Sequence, residues 1–398
     1  MDRADDSLVS RQINVDDLSG RRRTLGVMTV LFVGLLAACS AAAAQPEPSS
    51  GRIQLGEWTA KVKVIHVTDA LWNLTCWSSS HCAALGTVNR TASDVLVQFN
   101  PSKSDVEERP LTGLTSGTFD PVVACTENFC LIATDQCEPP NAASGQLTTC
   151  TAVIARQSGD GWSIVFRMTS PAGDFSAISC SNKKNCVAVG TTPATTGRVR
   201  DVPLEVTSTD GGRHWEDVSE SLISGTGLYD VACYHPNWCV AYSDVTPGIY
   251  PPITYTYASN DGGQSWIPTG KLTNPENPSD VSCSQAGVCI APAEKRALLF
   301  AGDLPWRTTN TFVPEYSLET GGSCSNPQNC VVAASQGRAI GLQWTNDAGR
   351  SWAAGVIHSI DTPLGLGFSS IQCLSSRECL ATDVSQSDGG EIIDLLHE

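Results

Sequence analysis

The organisation of the chain is decided by Phe175-Ser-Ala-Ile-Ser-Cys180 and Cys186-Val-Ala-Val-Gly190, two short apolar segments separated by five residues. Short apolar segments with β-branched residues are typical of strands. A loop of this length is ordinary for a hairpin. The two cysteines are therefore predicted to face each other across the mouth of a hairpin, with Cα atoms about 5.5 Å apart, and to form a local disulfide.

The same pattern recurs seven times along the chain. Six of the cysteine pairs enclose five residues and one encloses four, and the first members of successive pairs are 41 to 55 residues apart. The pairs are Cys76/Cys82, Cys125/Cys130, Cys180/Cys186, Cys233/Cys239, Cys283/Cys289, Cys324/Cys330 and Cys373/Cys379. Repetition with this spacing is typical of folds in which each repeat is one structural unit.

A second motif follows the cysteine pair in several repeats and combines Asp, Gly and Trp. It occurs as Ser208-Thr-Asp210-Gly-Gly-Arg-His-Trp215, Ser259-Asn-Asp261-Gly-Gly-Gln-Ser-Trp266 and Thr345-Asn-Asp347-Ala-Gly-Arg-Ser-Trp352, with weaker copies at Ser158-Gly-Asp-Gly-Trp162 and Gly302-Asp-Leu-Pro-Trp306. In a hairpin turn the Asp can cap backbone N–H groups, Gly allows positive φ, and Trp buries a large face between sheets.

These segments resemble the Asp-box, or bacterial neuraminidase repeat, of sialidase-like propellers. With this resemblance, each repeat becomes strand, cysteine hairpin, strand, variable loop, strand, Asp-box turn and strand. One such unit is a four-stranded antiparallel blade that cannot bury both faces alone, so blades stack radially into a ring. The sequence thus predicts an all-β fold, a seven-bladed β-propeller that occupies residues 51–398.

The two ends of the chain complement each other. The last repeat has only a third strand, Glu391-Ile-Ile-Asp-Leu-Leu396, before the chain stops. Before the first cysteine pair stands Ile53-Gln-Leu-Gly-Glu-Trp58-Thr-Ala, in which Trp58 resembles an Asp-box tryptophan without its turn. We expect this N-terminal strand to complete the last blade and close the ring.

Composition indicates export and disfavours nucleic acid as a partner. The 17 cysteines are typical of an oxidising compartment. Arg21, Arg22 and Arg23 precede an apolar run from Leu25 to Ala38, which is the pattern of a signal peptide. The formal net charge of −16 repels phosphate.

The end of the apolar run, Leu36-Ala-Ala-Cys39, resembles a bacterial lipobox. This resemblance implies that residues 1–38 are removed, that Cys39 is lipidated, and that residues 39–50 form a flexible tether on the extracytoplasmic side of the cell membrane. The alternative is an uncleaved signal-anchor helix from Thr24 to Ala44, which is long enough to span a bilayer.

The cysteine count favours the lipid anchor. Without Cys39, sixteen cysteines remain, an even number that can pair completely. Cys137 and Cys150 stand outside the repeat and are predicted to form an eighth disulfide that braces the loop between them.

The motifs along the chain give no catalytic centre. A sialidase would need an arginine cluster, a Tyr/Glu pair and a general acid, and its usual Phe/Tyr-Arg-Ile-Pro motif has only the imperfect counterpart Gly51-Arg-Ile-Gln54. The remaining arginines are scattered and are interpreted as surface residues: Arg156, Arg198, Arg200, Arg307 and Arg338. The six histidines are isolated and the cysteines belong to repeats, so no metal and no cofactor are predicted.

A glycosidase built from two carboxylates on separate blades has no sequence signature and stays open as an alternative. The Asp-box residues Asp210, Asp261 and Asp347 are expected to serve turns at the perimeter. Asp230 and Asp280 precede inner strands, so they are the first carboxylates to inspect, although a capping role is the simpler interpretation.

The long loops give the functional hypothesis. Cysteine hairpins and Asp-box turns are expected on one face of the ring, and the loops between second and third strands on the other. Three long loops, 137–150, 191–201 and 244–252, then become neighbours, and a disulfide and prolines pre-organise them. We expect a non-enzymatic binding or scaffold protein that receives a protein or glycan partner on this face; the alternative is a sialidase-like glycoside hydrolase.

Overall fold

The computed structural model describes nineteen segments of the chain. They are residues 52–65, 70–88, 93–103, 105–114, 120–137, 150–168, 173–192, 202–219, 227–235, 237–243, 253–273, 278–284, 286–293, 296–301, 306–310, 318–336, 339–358, 368–383 and 390–397. The predicted signal peptide, the lipidation site Cys39, the tether and most of the three long loops lie outside the described residues.

All regular elements of the described residues are β-strands, numbered here in chain order. The first seven are β1 (Arg52–Leu55), β2 (Trp58–Ile65), β3 (Ala70–Ser78), β4 (His81–Val88), β5 (Ser93–Phe99), β6 (Val106–Pro110) and β7 (Val122–Cys125). The next seven are β8 (Cys130–Cys137), β9 (Cys150–Ser158), β10 (Gly161–Arg167), β11 (Asp174–Cys180), β12 (Cys186–Thr192), β13 (Val202–Ser208) and β14 (Glu216–Asp217). They are followed by β15 (Leu228–His235), β16 (Trp238–Ser243), β17 (Ile253–Ser259), β18 (Ile267–Thr273), β19 (Ser282–Cys283), β20 (Val288–Ala293) and β21 (Arg296–Ala301). The last are β22 (Arg307–Asn310), β23 (Leu318–Cys324), β24 (Cys330–Gln336), β25 (Ala339–Thr345), β26 (Ala353–His358), β27 (Phe368–Ser375), β28 (Glu378–Asp383) and β29 (Gly390–His397).

The strands form seven antiparallel sheets, which are the blades of a β-propeller. Blades 1 to 6 each contain four consecutive strands: β3–β6, β7–β10, β11–β14, β15–β18, β19–β22 and β23–β26. Blade 7 has the order β1-β2-β29-β28-β27, so strands from both ends of the chain meet in it. The predicted all-β seven-bladed fold is confirmed.

The hydrophobic core is divided among the boundaries between blades. Seven clusters of buried side chains occur in the described residues, and each joins side chains of two neighbouring blades, including blade 7 to blade 1. The clusters contain mostly Val, Ile, Leu and Ala from the second and third strands of each blade. Since these strands are covered on both faces, their apolar residues are continuous rather than alternating.

A tryptophan marks the start of the fourth strand in six blades of the described chain. These residues are Trp162, Trp215, Trp266, Trp306, Trp352 and Trp58, in blades 2 to 7 respectively. Each packs into the cluster shared with the preceding blade. Trp58 therefore does occupy the position of an Asp-box tryptophan.

Seven disulfides close the mouths of the cysteine hairpins, one in each blade, with the pairing that the repeat predicted. They join residues 5 or 6 positions apart and are Cys76–Cys82, Cys125–Cys130, Cys180–Cys186, Cys233–Cys239, Cys283–Cys289, Cys324–Cys330 and Cys373–Cys379. In every pair the second cysteine is buried, because it begins or stands near the start of the second strand, between two neighbouring blades.

The geometry of these pairs differs from the prediction. Their Cα–Cα distances are 3.8–4.1 Å, so the expected distance of 5.5 Å was wrong for all seven pairs. The shorter distance is closer to that of facing residues that do not exchange main-chain hydrogen bonds, for which about 4.5 Å is usual. The N–H of the first cysteine in a pair consequently points away from its partner.

The additional pair outside the repeats lies between the second and third strands of blade 2. Cys137 and Cys150 are directly opposite in the register of β8 and β9. Cys150 is disulfide-bonded, while the side chain of Cys137 lies outside the described residues.

The Asp-box turns are held by one carboxylate each. In blade 3, Asp210 Oδ1 accepts the Ser208 hydroxyl at 3.0 Å and the N–H groups of Arg213 and His214 at 2.9 and 3.0 Å. Burial raises the pKa of Asp210, but hydrogen bonds from His214, Ser208 and Arg213 hold it well below its ordinary value. The same arrangement of hydroxyl and main-chain donors surrounds Asp261 and Asp347.

Each Asp-box turn is also bonded to the cysteine hairpin of its own blade. The bonds from the turn N–H to the hairpin carbonyl are Gly211 to Lys184 at 2.8 Å, Gly262 to Asn237 at 2.9 Å and Ala348 to Gln328 at 3.0 Å. Ala348 does this at φ 64°, in the left-handed region that glycine occupies in the other two turns. Hairpins and Asp-box turns therefore share one face, here called the hairpin face, and the opposite side is the loop face.

An N-terminal strand closes the ring, as predicted, but this strand is β2 and it begins only at Trp58 instead of Ile53. All eight residues of β2 are in register with β29, from Trp58 opposite His397 to Ile65 opposite Gly390. β1 folds back on β2 through a turn at Gly56, where φ is 65°, and adds a fifth strand to blade 7. His397 contacts the ring of Trp58 at 5.1 Å between centroids and pairs with Glu57 at 3.1 Å.

Removal of residues 51–62 from the otherwise complete chain should lower the free energy of unfolding of the whole propeller. The deletion removes Trp58, whose loss alone costs about 3–5 kcal/mol for a buried large aromatic residue, and leaves much of the edge of β29 unpaired. Removal of residues 51–55 alone is the control, because it spares β2. Equal denaturation midpoints for the two deletions would contradict this role of β2.

Replacement of Asp261 by Ala should lower the free energy of unfolding by about 1–2 kcal/mol, because the Asp-box turn loses its acceptor. Asp160→Ala is the matched control, since Asp160 belongs to the weak copy of the motif and is fully exposed, with Arg109 3.7 Å away. Chemical denaturation should show the first effect and little change for the second. A loss of equal size at both positions would contradict the structural role of the box.

Candidate functional site: the central channel

The inner strands of all seven blades line a central channel with a volume of about 740 Å³. Each inner strand runs from the loop face to its cysteine hairpin, so equivalent residues form levels of the channel wall. Residues three positions before the first cysteine form one level, here called level −3, and residues immediately before that cysteine form level −1. Hydroxyl, amide and carboxyl groups occupy much of both levels.

The inner strand of each blade has one edge that no further strand of its blade pairs with. Side chains of the preceding blade accept hydrogen bonds from some of the N–H groups at this edge. At level −1, Ser179, Ser323 and Gln372 accept the N–H of the first cysteine in the next blade, at distances of 2.9, 3.0 and 2.6 Å. At level −3, Asn73 and Ser370 accept an N–H from the residue that follows this level in the next blade, at 3.0 and 2.9 Å. The polar residues of the channel therefore join blade to blade.

These polar positions were not predicted, although the sequence contains a signal for them. Level −1 contains Thr75, Ala124, Ser179, Ala232, Ser282, Ser323 and Gln372. Five of these seven residues are polar, in segments that are otherwise apolar strands. Polar residues at fixed offsets from the repeated cysteines could have identified the channel wall.

Asn73 is the one described channel residue other than glycine with a positive φ, at 54°. Asn tolerates the left-handed region better than most residues do. In this conformation its Oδ1 reaches the N–H of Val123 in blade 2. The backbone of blade 1 is thus shaped so that a side-chain amide lines the channel.

Asp230 has the capping role that the sequence suggested. It is buried, its Oδ1 accepts the N–H of Val231 at 2.7 Å, and its Oδ2 accepts the N–H of Val281 in blade 5. The equivalent residue of blade 3 is Ala177, which offers no side-chain acceptor to Val231, so Asp230 serves both blades. Burial and the neighbouring carboxylate of Asp280 raise the pKa of Asp230, and the two N–H donors oppose this shift.

Asp280 stands at the same level as Asp230 in the adjacent blade, but water reaches its side chain through the channel. No N–H group in the described residues bonds to its carboxylate. The surrounding inner strands desolvate it and raise its pKa to about 6. Asp280 is therefore a carboxyl group whose pKa lies close to neutral pH. Its oxygens can accept hydrogen bonds from a ligand.

The two described arginines among the sequence candidates serve Asp-box turns instead of the channel. Arg156 donates Nε–H to the carbonyl of Gly211 at 2.8 Å and lies 4.4 Å from the ring centroid of Phe129. Arg307 donates from Nη2 to the carbonyl of Ala348. Both join one blade to the turn of the next, so the interpretation as free surface residues was incomplete. Arg198, Arg200 and Arg338 lie outside the described residues.

The described residues provide no arginine in the channel wall, where Lys183 is the one cationic side chain. They also contain no group of three or more His, Cys, Asp or Glu side chains that could hold a metal ion. Asp210, Asp261 and Asp347 belong to the hairpin-face turns and do not line the channel.

No helix formed by the described residues is both long and apolar enough to cross a membrane.

The strands that lead into the three long loops end together on the loop face. These strands are β8 and β9 in blade 2, β12 and β13 in blade 3, and β16 and β17 in blade 4. Their last registered pairs include Cys137 with Cys150 and Thr192 with Val202. The ends of these strands therefore lie on the same side of the ring in three consecutive blades.

Comparisons with known proteins support the fold. No protein-family model matches the sequence, and no curated protein matches it either. Among solved structures, YCF48 bound to D1 peptide has a TM-score of 0.57 with 13% identity, over 89% of this chain and 100% of that one. YCF48 from Cyanidioschyzon merolae has a TM-score of 0.53 with 12% identity, over 85% and 98% of the two chains.

An enzyme has a similar fold. PL25 ulvan lyase, a polysaccharide lyase, bound to -[GlcA(1-4)Rha3S]- has a TM-score of 0.54 with 12% identity, over 85% of this chain and 96% of that one. At these identities the likeness concerns the propeller fold alone. One fold is therefore compatible with peptide binding and with polysaccharide cleavage, and the channel residues must discriminate between them.

The charge on Asp280 should make stability depend on pH. Its folded-state pKa of about 6 lies above the value of about 3.9 in an unfolded chain, so the folded state binds the proton more strongly. The free energy of unfolding should therefore fall as the pH rises from about 4 to about 6 and remain lower above that range. Asp280→Asn should remove this loss.

Thermal or urea unfolding of Asp280→Asn and the parent protein at pH 4 and pH 8 checks this expectation. The variant should be more stable at pH 8, by no more than about 1 kcal/mol because solvent screens the exposed carboxylate, and about equal at pH 4. A variant that is less stable than the parent at pH 8 would contradict the assignment.

Proposed function

We propose that this chain is a non-enzymatic binding or scaffold protein of the extracytoplasmic side of the cell membrane, anchored there by a lipid on Cys39. Its partner, a protein or a glycan, would contact the loop face around the channel mouth. The observation that carries the proposal is the channel wall, whose hydrogen-bonding groups are suited to recognition and are held rigidly by bonds between blades.

The chemistry of the channel supports binding more than catalysis. A substrate carboxylate would need cationic side chains, and the described wall offers only Lys183. A two-carboxylate mechanism needs a second carboxylate that is free to act. Both oxygens of Asp230 accept main-chain N–H groups, so Asp230 is committed to joining blades 4 and 5. Glu127, the other exposed carboxylate of the described wall, belongs to the cysteine hairpin of blade 2, at the opposite end of the channel from Asp280.

Similar propellers illustrate both kinds of partner. YCF48 has been solved with a peptide and ulvan lyase with a glycan fragment. The Asp-box turns of blades 3, 4 and 6 support membership of the sialidase-like propeller class, whose motif here serves the architecture of the ring.

The anchoring part of the proposal rests on the sequence. Leu36-Ala-Ala-Cys39 follows an apolar run of signal-peptide length. The seven hairpin disulfides support an oxidising compartment, where such bridges persist. The even number of cysteines that remains without Cys39 favours a lipoprotein over an uncleaved signal anchor.

A glycoside hydrolase is the second candidate, and the single observation in its favour is Asp280. A carboxyl group with a pKa of about 6 in a channel is suited to act as a general acid. The carboxylate that neighbours it is Asp230, which is buried and doubly bonded. Release of reducing sugar from a polysaccharide by the parent protein and not by Asp280→Asn would favour the hydrolase.

Cross-linking in intact cells tests the proposed function. The parent protein should recover one reproducible partner, and shortening the loops at 138–149, 193–201 or 244–252 should reduce that recovery several-fold. Lys184→Ala, an exposed hairpin-face residue that does not line the channel, is the control and should leave recovery unchanged. The hypothesis fails if the parent recovers no reproducible partner, or if loop shortening has no effect.

The same cells report on the anchor. Cys39→Ser should move the chain from the membrane fraction to the soluble extracytoplasmic fraction. Persistent membrane association of this variant would instead support the signal anchor.

A further inference from the structure

The channel wall retains hydrogen-bond donors after the blades have been joined. A serine hydroxyl that accepts an N–H keeps its own O–H, and an amide that accepts through oxygen keeps its N–H groups. Ser179 accepts from Cys233, and Asn73 accepts from Val123. Among the described contacts, neither the Ser179 O–H nor the Asn73 Nδ2 group has a protein acceptor.

Main-chain donors add to these groups. Ala124 and Ala232 stand at level −1 in blades 2 and 4, where blades 3, 6 and 7 have a serine or glutamine acceptor. The N–H groups of Cys180 and Cys283, in the next blades, therefore receive no side-chain acceptor from that position. Buried or half-buried N–H groups need partners, which in a channel are water or a ligand.

Aromatic rings lie at the other end of the channel. Trp77 and Tyr234 line it near the hairpin face, in blades 1 and 4. Trp77 is half-buried and stacks on His81 with 5.8 Å between ring centroids. A channel with polar walls and aromatic rings at one end offers hydrogen bonds to hydroxyl groups and flat apolar faces to C–H groups.

The charges of the channel select against acids. Asp280 and Glu127 are exposed to it, and Lys183 is the one cation in the described wall. The formal net charge of −16 adds a repulsive field. A ligand with many hydroxyl groups and no negative charge fits this environment, because carboxylate oxygens accept hydrogen bonds from hydroxyl groups.

We infer that the channel binds the end of an uncharged oligosaccharide that enters from the loop face. Asp280 accepts hydrogen bonds from sugar hydroxyl groups near that mouth, Asn73 and Ser179 donate to sugar oxygens, and Trp77 contacts a sugar ring. This assignment rests on the proposed binding function, and it specifies the ligand class within it: neutral sugars bind, whereas uronic acids and sialic acid are excluded.

Isothermal titration calorimetry on the full chain in detergent tests the assignment. The neutral probes are cellotetraose, maltotetraose, mannotetraose and chitotetraose, and the acidic probes are tetragalacturonate and sialyllactose. At least one neutral probe should bind at neutral pH and no acidic probe should bind. Trp77→Ala should lower the affinity for the neutral probe at least tenfold. Ile267 is 58% exposed on an outer strand, and the control Ile267→Ala should change this affinity less than twofold.

Trp77 packs on the core between blades 1 and 2, so Trp77→Ala could lose binding because it fails to fold. A second variant therefore tests the same site. Asp280→Asn alters an exposed group. It should lower the affinity for the neutral probe several-fold and allow tetragalacturonate to bind detectably. Absence of binding by all neutral probes, or tighter binding of an acidic one, overturns the inference. A partner protein recovered by loop-dependent cross-linking, without any sugar binding, would overturn it and leave the proposed function intact.

Discussion

The structure depends on the way in which each pair of cysteines faces across its hairpin. A disulfide with Cα atoms about 4 Å apart requires positions that do not exchange main-chain hydrogen bonds. The register of the two inner strands is therefore fixed in every blade, and a shift by one residue would turn every side chain to the other face. The same constraint leaves the N–H of the first cysteine directed out of the sheet edge.

The N–H groups at this open edge need hydrogen-bond acceptors, and this need determines which side chains line the channel. Buried polar groups of the main chain need partners, and the partners come from polar residues of the preceding blade, such as Ser179 and Gln372. Some of the residues that join neighbouring blades, such as Ser179 and Gln372, are thus also residues of the channel wall. Where an alanine or a free carboxylate occupies one of these levels, as at Ala232 and Asp280, the wall has unused capacity for hydrogen bonds.

The sequence predicted the architecture better than the site, and the reasons are physical. The number of blades follows from local features: cysteines five or six positions apart define a hairpin in each blade, and Trp58 marks a fourth strand without its turn. The extra strand β1 was not predicted, because no other blade of the described chain has a fifth strand with which it could be compared. The channel residues were not predicted because their partners lie in other blades. Gln372, for example, accepts a hydrogen bond from the N–H of Cys76, 296 positions away in the chain. The pKa of Asp280 likewise depends on the enclosure by the ring, which no local segment encodes.

The contrast between local and distant contacts sets the order in which this molecule can be assembled. Each hairpin disulfide joins residues 5 or 6 positions apart, so it can form on a nascent segment as soon as that segment meets an oxidant, with little loop entropy to overcome. Closure of the ring has the opposite character, since β2 must wait for β29. Strand β2 is made early in synthesis, so its edge toward β29 lacks a partner until β29 follows, whereas the hairpins of the blades between them can be cross-linked before blade 7 is assembled.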